Sequence, residues 1–343
     1  FKNTVLLLFF TLSACGNHTK THNKELNSVV ARDTLAIDLP IIIAANRTEA
    51  YLPLLRGKRV GIVANQTSVI FKNTHPLSYT HIVDSLLAKD INIKQVFAPE
   101  HGFRGEADAG EKVSDGKDEK TGLPVDGPTM ETEHRGFLGM TNIPLVYGMT
   151  IGEYANMINK EGWLENKVVA DLTVIPMENY NHQKDYILPI RPSPNLPNNT
   201  SIYLYPSLGL FEGTNVNAGR GTEFQFQRYG ASFLDSTKYN FKYTPLPNFG
   251  SKDPKENGKI CFGKDLSQTP KTNTVNLDYI LDAYKNTTDK SLFFNTSGFT
   301  RHAGTKELQK QIESGLSQEE IKKTWQEDID QFQKIRAKYL IYN

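Results

Sequence analysis

This 343-residue chain is poor in cysteine, with only Cys15 and Cys261. A scaffold stapled by several disulfides is therefore excluded. An excess of charge of one sign is missing as well: 39 Lys and Arg stand against 38 Asp and Glu, a formal charge of +1. No basic surplus points to nucleic acid, and no acidic block points to a solvating tail. A neutral or locally mixed ligand is expected. No internal repeat is found, and the one long apolar run, Val5 to Phe10, is too short to persist as a membrane-spanning helix.

What is present is ample apolar material, 38% hydrophobic and 10% aromatic. That suffices for a large core, and the length suggests two domains or one large one. Lys2 precedes the short apolar run, and Leu12-Ser13-Ala14-Cys15 follows it, the pattern of a secretory leader ending in a bacterial lipobox. Residues 1–14 are read as signal peptide, with Cys15 the lipidated first mature residue. The alternative is a plain leader with an incidental cysteine. Residues 15–45 are polar and read as a tether. With Cys15 carrying lipid, Cys261 is the single free thiol. The expected location is the cell envelope, periplasmic and anchored to a membrane.

The folded part is expected from Asn46. Arg59 to Ala64 reads as a strand ending at Asn65-Gln66-Thr67, His81 to Lys89 as a helix, and Ile91 to Phe97 as a second strand. Strand, helix, strand with short connections argues for a parallel α/β unit with a right-handed crossover. Ligands of such sheets sit beyond the carboxyl ends of the strands. Farther on, Thr150-Ile-Gly-Glu153 is a capping box, Lys167 to Ile175 reads as a strand, and Pro189 to Asn199 is a loop. Past residue 230 irregular strands are expected, then two closing helices. The last begins with Ser317-Gln-Glu-Glu320 and carries an apolar stripe from Ile321 to Tyr339.

Two clusters at the ends of apolar runs carry chemistry. In Pro99-Glu100-His101-Gly102-Phe103-Arg104, a carboxylate beside a histidine suits a general acid if burial raises its pKa. A polar turn capping backbone groups accounts for the same residues. His101, Glu106, Asp108 and Glu111 crowd one loop, but their spacing matches no zinc motif. The second cluster is Glu212-Gly-Thr-Asn215, continuing to Gly219-Arg220-Gly221, where a carboxylate and an arginine sit among glycines. A phosphate cradle is not supported, since no Gly-Lys-Ser/Thr ending appears. Glu100 and Glu212 together suit the paired carboxylates of a glycosidase, or Glu212 and Arg220 form a structural ion pair.

These segments together resemble the bacterial exo-β-N-acetylmuramidases, a family first catalogued as a domain of unknown function. The resemblance rests on Val60-Gly-Ile-Val-Ala-Asn65-Gln66, Pro99-Glu100-His101-Gly102-Phe103-Arg104-Gly105, Asp108-Ala-Gly110, Thr121-Gly-Leu-Pro-Val125, Gly148 to Glu153, Arg191-Pro-Ser-Pro-Asn-Leu-Pro197, Tyr205 to Thr214, Gly219-Arg-Gly-Thr222 and Lys338 to Tyr342. It implies a Rossmann-like catalytic domain, here 46–228, and a smaller α+β domain, 229–343. It further implies release of N-acetylmuramic acid from the non-reducing ends of peptidoglycan fragments, without nucleotide, metal or other cofactor. Glu100 maps onto the family's catalytic acid. His101 is expected to orient it or touch the sugar, and Asn65, Gln66, Arg104, Asp108, Glu212, Asn215 and Arg220 to bind substrate. One departure stands out. The family carries a strand–helix–strand segment between the residues corresponding to Val125 and Asp126, which are adjacent here, so a catalytically inactive sugar- or peptidoglycan-binding lipoprotein is the alternative.

Overall fold

A computed structural model describes residues 39–72, 78–99, 102–103, 116–117, 124–126, 141 and 143–342. Helix α1 (Thr48–Leu55) leads into strand β1 (Val60–Val63). Asn65 ends the strand by folding its side chain back, Oδ1 accepting the Thr67 amide at 3.0 Å and the Thr67 hydroxyl at 2.7 Å. An antiparallel hairpin follows, β2 (Val69–Phe71) with β3 (Tyr79–His81). Its strands are three residues each, too short for a period of two to show in sequence. His81 caps helix α2 (Ile82–Leu87), whose Val83 and Leu86 are buried as their spacing predicts. Strand β4 (Ile93–Phe97) then lies parallel to β1, with Val63 opposite Phe97.

The sheet continues through β5 (Gly116–Lys117) and β6 (Pro124–Asp126) in the order β1-β4-β6-β5, with β6 parallel to β4 and β5 antiparallel to β6. Its core holds Ala64, Val83, Leu86, Ile91, Ile93, Val96, Ala98 and Phe103. The expected α/β class with a parallel sheet is thus observed.

Helix α3 (Ile151–Lys160) starts at the predicted box, Thr150 Oγ1 accepting the Glu153 amide and Glu153 Oε2 accepting the Thr150 amide. The expected strand at Lys167 to Ile175 is not formed. Val168 and Val169 are 58% and 75% exposed, and the segment has no ladder partner among the described residues. A strand is a pairing, and an apolar run without a neighbour gains nothing from the conformation. Instead one side chain holds the segment, Asn159 Nδ2 donating to Ala170 O at 2.9 Å and Asn159 Oδ1 accepting Ala170 N–H at 2.8 Å. Val63 at the end of β1 is likewise 73% exposed, although a parallel sheet ordinarily has both faces covered.

The chain from Pro40 onward is one compact unit. Ile42 pairs with Glu178, and Asn46 exchanges two hydrogen bonds with the backbone of Phe71, so the fold reaches back into the expected tether. Helix α4 (Asn199–Leu208) and the 3₁₀ turn Gly209–Gly213 open a second core. It is completed by a three-stranded antiparallel sheet of β7 (Arg228–Ala231), β8 (Phe241–Tyr243) and β9 (Cys261–Asp265), in the order β7-β9-β8. Leu204, Leu208, Phe211, Val216 and Phe226 pack in this core, so residues 204–228 belong with the C-terminal part rather than with the parallel sheet. Cys261 is fully buried there, its thiol pKa pushed up to about 12 by desolvation, which makes it a structural residue.

Five helices rather than two close the chain: α5 (Asp278–Lys285), α6 (Thr296–Ala303), α7 (Glu307–Glu313), α8 (Gln318–Lys323) and α9 (Gln326–Arg336). Ser317 forms the predicted capping box, but the helix it opens ends at Lys323, and α9 resumes beyond Trp325. Ile321 and Phe332 of the apolar stripe are buried. No helix among the described residues is long and apolar enough to cross a membrane.

Candidate active site

The carboxyl ends of β1 and β4 lie side by side, tied by the Ala64 amide donating to Phe97 O at 3.0 Å. Glu100, His101, Arg104 and Asp108 fall outside the described residues. Their flanks are fixed. Ala98 is fully buried, the Gly102 amide donates to Pro99 O, and Phe103 packs edge-on against the His81 ring with centroids 4.7 Å apart. His81 Nε2 lies 2.8 Å from Asn65 O, so the two strand ends share one support. Of the predicted pair there, Asn65 is committed to its own turn. Gln66 reaches across the chain, Nε2 donating to Pro192 O at 3.2 Å.

That contact begins a series linking the sheet to the second core. Asn195, three residues past Pro192 and buried, donates through Nδ2 to Gly250 O at 2.6 Å. Arg220 Nη2 approaches the same carbonyl at 3.5 Å, while Nη1 donates to Glu212 Oε2 at 2.8 Å. The second cluster of the sequence is therefore real in space: Glu212 and Arg220 form an ion pair at the wall of a cleft of about 250 Å³. Asn217, Gly250, Asp253 and Lys255 line it as well.

Asn215 is not part of this wall. It is exposed, with Nδ2 on Leu292 O at 2.8 Å, joining the turn to the C-terminal helices. Asn217, two residues on, is the organising residue. Its Nδ2 donates to Arg220 O and Lys255 O at 2.9 and 2.8 Å, its Oδ1 accepts the Gly219 amide at 2.6 Å, and Tyr243 donates to it from behind. The glycines around Arg220 bring backbone close to protein. Gly219 and Gly221 have φ of +81° and +78°, and a Cβ on Gly221 would meet Pro254 Cγ at 2.6 Å. This approach seats the Asp253–Lys255 loop against the arginine loop.

Lys255 was not singled out by sequence, since it lies in a lysine- and proline-rich stretch with no local pattern. Its Nζ donates to Phe211 O at 2.8 Å and Glu212 O at 2.9 Å, capping the end of the 3₁₀ turn that presents Glu212. Burial pushes the Lys255 pKa down, and the nearby Glu212 offsets part of that. A carboxylate held by a guanidinium, with an ammonium beside it, gives the cleft donors and acceptors suited to a polar or anionic sugar substituent. No group of three or more His, Cys, Asp or Glu able to hold a metal ion occurs among the described residues.

Residues 203–342 match the family model for the C-terminal part of exo-β-N-acetylmuramidase NamZ. Residues 60–125 and 122–200 match the model for its N-terminal part, in two pieces that meet near Val125 and Asp126. The chain is 30% identical to the peptidoglycan β-N-acetylmuramidase NamZ of Bacillus subtilis (strain 168), covering 99% of this chain and 98% of that one. That alignment spans 427 positions against the 343 residues present here, so the relative has residues with no counterpart. A crystal structure of a DUF1343 family protein from Bacteroides fragilis NCTC 9343 superposes with a TM-score of 0.75 at 34% identity, covering 89% of this chain and 99% of that chain. A second protein of that family from the same organism gives 0.68 at 20% identity, a likeness of fold, covering 88% of this chain and 99% of that one. With both family models matched in order across the strand ends and the Glu212–Arg220 cleft, this chain belongs to the NamZ exo-β-N-acetylmuramidase family.

Proposed function

We propose that this protein is a glycosidase that releases N-acetylmuramic acid from the non-reducing ends of peptidoglycan fragments. The observation that carries the reading is the likeness to a peptidoglycan β-N-acetylmuramidase over 99% of the chain. The polar cleft beside Arg220 and Glu212 supports it. In this reading Glu100 is the general acid. It protonates the glycosidic oxygen as the bond from the anomeric carbon breaks, water adds its hydroxyl to that carbon, and the proton the water releases restores the Glu100 acid. His101 orients the acid, Arg104 and Asp108 contact the sugar, and Gln66 holds the Pro192 loop against the strand ends. Turnover of a chromogenic β-N-acetylmuraminide tests this. Glu100→Gln is expected to lower kcat by about 10²–10⁴-fold, with the wild-type rate unchanged by chelator. Undiminished activity in the variant would remove Glu100 as the acid.

The lipobox at Leu12 to Cys15 supports a further part of the proposal, that the enzyme is tethered by lipid to an envelope membrane on its periplasmic side, where such fragments arise. Metabolic labelling with a fatty acid is expected to mark the wild type and not Cys15→Ser. Equal labelling of both would overturn the anchor.

A further inference from the structure

We infer that Phe249 is the platform on which the sugar next to muramic acid stacks, the one left behind when the terminal residue is released. The inference rests on the function proposed above and assigns the residue that holds the leaving sugar. Exposure is the first argument. Phe249 is 61% exposed, and no aromatic side chain among the described residues is more so. Other outward aromatic rings are packed on protein: Phe224 lies 4.1 Å from the Arg228 guanidinium, and Tyr205 sits edge-on to Phe226 with centroids 4.8 Å apart. Among the described residues the one ring partner of Phe249 is the Arg191 guanidinium, 5.8 Å from its centroid. A cation at that range sets the tilt of the ring and leaves it a flat apolar face that gains from being covered.

Rigidity is the second. Phe249 sits in the four-residue turn 248–251, which is closed in both directions. The Asn248 amide donates to Ser251 O at 3.0 Å, and the Ser251 amide donates to Asn248 O at 3.1 Å. Asn248 Nδ2 ties the turn to Thr222 O at 3.0 Å. Gly250 has a φ of +90°, and a Cβ there would meet Pro194 Cβ at 2.7 Å, so the turn is seated closely on the loop 191–195. A ring carried on backbone held this way is ordered before a ligand arrives. Position is the third argument. Gly250 and Ser251, the next two residues, line the cleft beside Glu212 and Arg220, while the ring itself lies outside that lining. The loop 191–195 also reaches the end of β1, since Pro192 O accepts from Gln66 at 3.2 Å. The ring therefore stands at the rim, where a fragment whose terminal sugar enters the cleft carries its next one. A β-linked pyranose with equatorial substituents presents axial C–H bonds on one side, and the negative face of an aromatic ring attracts them.

The test compares turnover of methyl β-N-acetylmuraminide, whose leaving group is too small to stack, with that of the β-linked disaccharide of N-acetylmuramic acid and N-acetylglucosamine. Titration calorimetry adds the affinity for the sulfur-linked disaccharide, which resists hydrolysis. Phe249→Ala is expected to lower kcat/KM for the disaccharide about tenfold, through KM, and to weaken the sulfur analogue to the same extent. Turnover of the methyl glycoside is expected to stay at the wild-type level, which a loss of folding would not allow. Phe249→Trp is expected to keep both properties, and Phe249→Leu to recover only part, since it restores apolar area without a flat ring. Undiminished disaccharide kinetics in Phe249→Ala overturn the inference, and so do equal losses on the two substrates. If the wild type turns over and Phe249→Ala binds the sulfur analogue as tightly, the platform falls and the proposed activity stands. If the analogue binds through Phe249 without turnover of either substrate, the platform stands and the activity falls.

Discussion

Glu153 has no exposed surface, an unusual position for a carboxylate, and the structure surrounds it with donors. Oε2 accepts from the Thr150 amide and hydroxyl. Oε1 accepts the Ile341 amide at 2.7 Å and the Tyr342 amide at 3.3 Å, and lies 3.0 Å from His182 Nε2. Burial alone would raise its pKa, but the Thr150 and Ile341 amides, with His182, outweigh burial and hold it below the usual 4.5. A carboxyl group with a lowered folded pKa stabilises fully above its unfolded value and loses that contribution as pH falls through the folded one. Glu153→Gln is therefore expected to cost about 2–4 kcal/mol at pH 7, with the gap to wild type closing below pH 4.5. Thermal melts at neutral and acid pH check this, and a gap unchanged in acid would refute it. The capping half of this role was legible, because Thr150 and Glu153 are three apart. The other half was not, since its partners are 29 and 188 residues distant. The same limit hid Lys255, while Glu212 and Arg220, eight residues apart among glycines, were visible as a pair.

Among elements, those whose burial is decided locally were read correctly. Strands β1 and β4 pair in parallel on either side of helix α2 in the chain as expected, although Val63 stays exposed, and the boxes at Thr150 and Ser317 open helices as expected. The segment at Lys167 to Ile175 has strand composition as well, yet it has no ladder partner among the described residues, because pairing depends on a neighbour that its own residues do not encode. The C-terminal helices were under-counted for a related reason. The stripe from Ile321 to Tyr339 has one period, but Thr324 and Trp325 interrupt the helical run between α8 and α9.

At the scale of the molecule, two apolar cores divide the chain, one around Val83 and Val96 and one around Phe211 and Tyr229. The second begins near Leu204, earlier than the change of texture past residue 230 suggests, because α4 and the Gly209–Gly213 turn supply apolar residues without any change in composition. Polar contacts run between the parts of the chain, Gln66 donating to the Pro192 carbonyl and Asn195 to the Gly250 carbonyl, and the C-terminal tail returns to Glu153 of α3.

The bare stretch from Glu165 to Thr173, all of it open to solvent, is where a digestive enzyme can seize the folded chain. Brief treatment with trypsin should sever the bond after Lys167 and leave fragments that migrate separately in detergent. Under native conditions they should still elute as one particle, since Ile341 and Tyr342 stay clasped by Glu153 from the far side of the cut and Gln66 keeps its grip on Pro192. Fragments that drift apart without denaturant would show that the covalent link at this point, rather than those clasps, keeps the halves together.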